Sequence, residues 1–138
     1  MTKSAVLASV ALGVSAEAYP LLYDFLDTTA QAAGMDTYHA RRLRLAVEEA
    51  VGNIIDFSSA SEMTLAAAVS GNQLTVTVSD NGQPFDPTAY ADPDLSRPAD
   101  ERRIGGLGIF YMRQMSDDIA YRREGGRNIL ALAFPYTQ

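Results

Sequence analysis

The sequence predicts an α+β domain, and three observations predict it. Two consecutive stretches, 15–34 and 36–57, repeat apolar residues at helical spacing, while 63–69 and 74–78 alternate about the turn Gly71-Asn72 and two further short stretches flank Gly125-Gly126. A chain of 138 residues, nearly half of them apolar, can bury one core without staples. No internal repeat or linker is evident, so residues 1–138 are expected to form a single domain.

At the N-terminus Lys3 precedes the apolar run Ala5 to Val14 and then Ser15-Ala16-Glu17-Ala18, a succession that imitates a secretion signal. The run is rich in Ala and Ser and has a single basic residue ahead of it, so it is expected to be a first strand, Ser4 to about Leu12. Ser15 can cap a helix carrying Ala18, Leu21, Leu22, Phe25 and Leu26 on one side and ending at Gly34, with Pro20 marking a late start or a bend. Asp36 caps a second helix, whose residues Leu43, Val47, Ala50, Ile54 and Phe57 form one apolar stripe. Met63, Leu65, Ala67 and Val69 alternate, Gly71-Asn72 turns, and Leu74, Val76 and Val78 alternate again, giving a hairpin. From Gln83 to Ile104 periodicity is lost, and a run with four prolines forms a loop of the length usually reserved for function or disorder. Gly105-Gly106-Leu107-Gly108 then opens an apolar helix, in which Phe110 and Tyr111 are expected in the core. A strand at Ile119 to Arg123, the turn Gly125-Gly126 and a strand at Ile129 to Phe134 complete the order β-α-α-β-β-lid-α-β-β.

Composition removes several functions. Without cysteine there is no thiol nucleophile, thiolate metal site or disulfide, which fits a reducing, cytoplasmic setting. A net charge of −6 repels phosphate backbones and anionic lipid heads, so neither nucleic acid nor membrane is an expected partner. A protein or a magnesium-bound nucleotide is compatible with that charge. The lone His39 has no second His or Cys with which to share a metal.

Three constellations can carry chemistry. Glu49 and Asn53, four residues apart, share a helix face beside the apolar stripe, whereas Glu48 points about 100° away. An amide oxygen can complete the shell of a largely hydrated Mg²⁺, and a carboxylate can orient or deprotonate a hydroxyl nucleophile. Taken alone, the pair reads as ordinary exposed helix residues. At the end of the hairpin, Asp80 can accept from an exocyclic amine while Gly82 admits a ring, although Asp80-Asn81-Gly82-Gln83-Pro84 is also ordinary turn chemistry. Gly105, Gly106 and Gly108 at a helix start offer N–H groups and a helix dipole to phosphate oxygens. Arg102 and Arg103 can fold over a γ-phosphate or remain solvated, and Arg113, Arg122 and Arg123 are expected at the surface or facing a partner.

Together and in this order, the motifs resemble those of the anti-sigma factor serine/threonine kinases within the histidine-kinase-like ATPase superfamily. The resemblance runs from Leu45 to Asn53, through Asp80 to Pro87 and Gly105 to Ile109, and on from Asp117 to Leu132. It implies a two-layer sandwich in which a mixed, mostly antiparallel sheet is covered on one face by helices, with a mobile lid at about 83–104. It further implies ATP and Mg²⁺ as cofactors, Glu49 as catalytic base, Asn53 as metal ligand, Asp80 and Gly82 at the adenine, and Gly105, Gly106 and Gly108 at the triphosphate. The activity implied is phosphorylation of a small anti-sigma-factor antagonist, with a sigma factor controlled by partner switching. A serine phosphatase partner and a homodimer are also compatible with the family. The alternative is a nucleotide-dependent binding module that sequesters a partner with little transfer. Two departures point that way: Phe57-Ser58-Ser59 replaces a more polar continuation of the first motif, and Ala131 is read at the position of a threonine that supports the aspartate. A histidine kinase catalytic half is not expected, since no dimerisation helix with a phospho-acceptor histidine accompanies the motifs.

Overall fold

The computed structural model describes residues 5–89 and 112–136. Five strands form one antiparallel sheet: β1 (Ala5–Leu12), β2 (Met63–Ser70), β3 (Gln73–Asp80), β4 (Asp118–Glu124) and β5 (Arg127–Pro135), in the order β1-β2-β3-β5-β4. Every pairing among the described residues is antiparallel, where a mixed, mostly antiparallel sheet was expected. The segment that imitates a secretion signal is edge strand β1, paired with β2 through a register irregularity between Val6 and Ala8. Among the described residues no helix is long and apolar enough to cross a membrane.

Two helices cover one face of the sheet. Ser15 Oγ accepts from Glu17 N and caps a short 3-10 turn, Ala16–Ala18, which leads into α1 (Tyr19–Ala33). Pro20 sits in the first positions of α1, where its missing N–H costs nothing, so it marks a late start and no bend occurs. Gly34 closes the helix at φ 76°, a left-handed conformation that glycine adopts without a Cβ penalty. Helix α2 (Thr37–Phe57) begins at Asp36, whose carboxylate accepts from His39 N at 2.8 Å and meets His39 Nδ1 at 2.7 Å. That contact, led by the backbone donor, holds the Asp36 carboxyl below its usual range. His39 therefore belongs to the helix start.

Along α2, Leu43, Val47 and Val51 are completely buried, each stabilising the fold by roughly 1.5–3 kcal/mol through lost apolar exposure. They meet Leu65, Leu74, Val76, Val78 and Leu132 from the sheet in one core. Helix α1 packs on β1 and α2, and α2 packs on β3 and β5. At 21 residues α2 is about 30 Å long, so its last turns reach the end of β3. Asp36→Ala should lower stability by about 1 kcal/mol through loss of the cap. A urea midpoint unchanged by that substitution would show that packing alone sets the start of α2.

Residues 112–115 are helical, with Met112 fully buried, and Arg42 on α2 donates to Gln114 O at 3.0 Å. The preceding glycine-rich stretch with Gly105, Gly106 and Gly108, the pair Arg102 and Arg103, the side chains of Phe110 and Tyr111, and positions 90–104 of the expected lid lie outside the described residues.

Candidate functional site

The C-terminal turns of α2 and the C-terminal end of β3 meet at a small open pocket. Its apolar lining comes from Ala50, Ile54, Val78, Phe85, Pro87 and Leu130, and its polar groups from Asn53, Asp80, Tyr121 and Asn128. This is the usual make-up of a small-molecule site, a mostly apolar wall with a few placed polar groups. Two residues singled out from the sequence, Asn53 and Asp80, thus lie on the same pocket from different elements.

Asn53 is buried, and its Nδ2 has no hydrogen-bond partner among the described residues. A buried amide left unpaired costs about 1–3 kcal/mol, so the position is one that a ligand or ordered water completes. Glu49 lies one turn earlier on α2, half-buried and outside the pocket lining. Burial, and then the neighbouring Glu48 charge, push its carboxyl above the ordinary glutamate value. Glu48 itself is held away, hydrogen-bonded to the Tyr23 hydroxyl, and Arg44 covers the Tyr23 ring at 3.9 Å.

Asp80 is buried at the strand end, and both hydrogen bonds to its side chain fall on Oδ1, from Gly82 N at 2.8 Å and Asn128 Nδ2 at 3.1 Å. Among the described residues Oδ2 has no hydrogen-bond partner and is open to a ligand. The following turn is tied down residue by residue. Asn81 Oδ1 accepts from Ser61 N and Glu62 N, Gln83 N donates to Ser58 O at 2.8 Å, and Gln83 Nε2 donates to Phe57 O at 3.0 Å. Phe85 stacks on Phe57 with ring centroids 6.2 Å apart.

Gly82 has a use that the sequence did not suggest. A Cβ there would come within 2.3 Å of Ser58 O, so the missing side chain lets the turn approach the end of α2, and the space it leaves is filled by Ser58. Arg123, exposed as expected, also donates to Gly82 O at 2.7 Å and braces the same turn. Arg122 fits the expectation, an exposed residue 3.4 Å from Glu124.

The position read as Ala131 also needs correcting. Leu130, Leu132 and Phe134 face the core, so Ala131 points to the opposite face, across from Thr77 and Ala120. The residue opposite Asp80 is Asn128, which sequence reasoning missed. A signal existed: counting back by twos from Phe134 reaches a buried polar residue in an inward position.

Residues 14–134 match the family model described as "Histidine kinase-like ATPase domain". The chain belongs to that family. Among its relatives are serine/threonine-protein kinase BtrW of Bordetella bronchiseptica, 31% identical over 96 residues, which are 65% of this chain and 66% of that protein. Serine-protein kinase RsbW of Listeria monocytogenes serovar 1/2a is 29% identical over 113 residues, covering 76% of this chain and 72% of that one. The match thus spans just under two thirds of the Bordetella relative's length. The crystal structure of the RsbU and RsbW domains of a Mycobacterium tuberculosis protein is similar in fold, with a TM-score of 0.67 and 16% identity over 96% of this chain and 33% of that one. Acinetobacter baumannii histidine kinase AdeS follows at a TM-score of 0.53 and 16% identity, covering 96% of this chain and 69% of that one. At that identity both establish the fold alone.

For a histidine kinase-like ATPase domain the pocket is suitably furnished. Among the described residues no three His, Cys, Asp or Glu side chains cluster into a metal cage. The unpaired Nδ2 of Asn53 is a donor and suits an acceptor oxygen of a ligand, such as a phosphate oxygen, whereas Mg²⁺ takes oxygen ligands and would need the amide oxygen of the same side chain.

Proposed function

We propose that this domain is an anti-sigma-factor serine/threonine kinase, which transfers the γ-phosphoryl group of ATP to a hydroxyl on a small antagonist protein and controls a sigma factor by exchanging partners. The observation that carries this reading is the pairing, across one pocket, of an amide nitrogen on α2 with a buried carboxylate oxygen on β3, neither of them hydrogen-bonded among the described residues. The relatives named as serine-protein kinases support the choice of acceptor.

In this reading Asp80 Oδ2 accepts from the adenine amino group, and the wall of Ile54, Val78 and Leu130 receives the ring. Asn53 contributes its amide oxygen to Mg²⁺ and its nitrogen to a phosphate oxygen. The metal supplies neutralisation of phosphate charge when bound. Gly105, Gly106 and Gly108 present backbone N–H groups to the triphosphate, and Arg102 and Arg103 close over it with the 83–104 lid. Glu49 accepts the proton of the acceptor hydroxyl as its oxygen attacks the γ-phosphorus and the bond to the leaving ADP oxygen breaks. A carboxylate raised above its ordinary value is better matched to that proton transfer than a fully solvated one. Phosphoryl transfer depends on positioning and electrostatics, which suits a small domain whose acceptor arrives on a partner.

The binding-module alternative drew on Phe57 and Ala131. Phe57 packs on Phe85 and Ala131 lies on the far face of the sheet, so neither lines the pocket. Asp80→Asn should weaken ATP about ten- to a hundredfold, the effect of losing a charge-assisted hydrogen bond, with little change in stability. Calorimetric titration with ATP and Mg²⁺ tests the site, and labelled ATP offered with candidate antagonist proteins tests the transfer. Unchanged ATP affinity in Asp80→Asn would sink the nucleotide reading, whereas tight ATP binding with no antagonist labelled would favour the binding module.

A further inference from the structure

Asn128 lies on β5 directly across from Asp80, and its amide is used to capacity. Nδ2 donates to Asp80 Oδ1 at 3.1 Å and to Gln83 O at 2.8 Å, while Oδ1 accepts from Phe85 N at 3.1 Å and from the Tyr121 hydroxyl at 2.5 Å. Two donors and two acceptors around one amide fix its orientation, because flipping it would set donor against donor and acceptor against acceptor. One buried side chain therefore joins three things: the carboxylate on the pocket, the turn at 83–85 that carries Phe85 into the pocket wall, and strand β4 through Tyr121.

We infer that Asn128 is a positioning residue that sets the base preference of the site, by holding Asp80 so that a single carboxylate oxygen faces the ligand. The inference rests on the nucleotide reading above. With Oδ1 engaged by Asn128 and Gly82 N, the carboxylate presents one acceptor, which suits the single amino group of adenine. Guanine carries an acceptor oxygen where adenine carries that amine, and meets a fixed carboxylate acceptor to acceptor. A carboxylate free to turn can instead present both oxygens to the adjacent N–H and amino donors of guanine. Discrimination between the purines then depends on what keeps Asp80 from turning.

The test is the ratio of ATP to GTP affinity, measured by calorimetry with Mg²⁺ on the full chain under conditions in which circular dichroism shows each protein folded. Asn128→Ala should lower ATP affinity and shrink the ATP/GTP ratio about tenfold, the scale of one lost hydrogen bond to a charged group. A reduced affinity for both nucleotides at an unchanged ratio would overturn the inference and leave Asn128 a structural residue. If Asn128→Ala does not fold, the near-isosteric Asn128→Asp decides. Two adjacent carboxylates cannot both ionise easily, so one retains its proton to well above the usual carboxylate range and donates to Asp80 in place of the amide. ATP affinity of that variant should hold near about pH 5 and fall towards about pH 8, as the proton is lost and the two charges repel. A pH profile parallel to that of the wild type would overturn the inference. Wild-type protein that binds neither nucleotide would instead remove the nucleotide reading on which the inference stands.

Discussion

Replacing Glu49 with glutamine is expected to lower phosphoryl transfer to the antagonist by about 10²- to 10⁴-fold, the range associated with a positioned general base, while ATP affinity changes by no more than about twofold. Glutamine keeps the size and one acceptor of the side chain but cannot take a proton. Stability should move the other way. Burial, then Glu48, raises the folded-state value of Glu49, so the ionised carboxylate is disfavoured in the native protein. Its contribution to stability is fully present below the ordinary glutamate value and is lost as pH rises through the raised one. Glu49→Gln is therefore expected to be at least as stable as wild type at neutral pH, with the difference closing in acid. Urea midpoints compared at both pH values measure this. In kinetics the same shift appears as an acidic limb, since transfer falls as Glu49 takes up its proton. Glu48→Gln should move that limb to lower pH by removing the second cause of the shift. Wild-type transfer rates in Glu49→Gln would exclude Glu49 as the base and leave positioning and phosphate neutralisation as the source of the transfer.

Much of this arrangement was legible because it depends on local chemistry. Asp36 and Gly34 act as caps with a side chain or backbone conformation that few other residues supply and set the start of α2 and the end of α1, whereas Ser15 caps only the 3-10 turn ahead of α1. The inward alternation of β2 and β3 and the turn between them carry their own register. Asn53 and Asp80 stood out through the order of their motifs and the family resemblance this order carries, since alone each reads as ordinary helix or turn chemistry. What could not be read was the register between strands distant in sequence. β3 and β5 pair across nearly fifty residues, and nothing in either strand says that Asp80 faces Asn128. The misplacement on Ala131 followed from aligning by type of residue instead of by sheet face. Arg123 is exposed as expected, but its bond to the turn depends on a tertiary approach that places a carbonyl 2.7 Å away. The antiparallel character of every described pairing came from the same source, since hairpins are local and the β3–β5 pairing is not.

Gly82 shows how a correct residue can carry a different physical reason, and its substitution separates the two. If the glycine only left space for a base, Gly82→Ala would weaken nucleotide and leave the fold untouched. The geometry predicts more, because an added Cβ would stand 2.3 Å from Ser58 O and 2.8 Å from Ser58 Cβ and Oγ, and one of those neighbours is backbone at the end of α2. The turn and the helix end must separate. That stretches the Gln83 N to Ser58 O bond and pulls Gly82 N away from Asp80 Oδ1. Overpacking of this kind costs about 1–3 kcal/mol, so the urea midpoint should drop clearly. Nucleotide affinity should fall as well, since Asp80 loses one of the two donors that orient it. Gly13→Ala is the matched control: no atom lies within 4 Å of its added Cβ, and it should change neither stability nor binding. A Gly82→Ala protein as stable as wild type would mean that the corner yields easily, and the bracing of Asp80 by its own turn would have to be abandoned. Loss of stability with binding intact in the folded fraction would instead leave Asn128 as the brace that matters. Because Gly82 N and Asn128 Nδ2 share a single carboxylate oxygen, Gly82→Ala and Asn128→Ala should not be additive in ATP affinity, and a double-mutant cycle measures how much of the orientation of Asp80 each supplies.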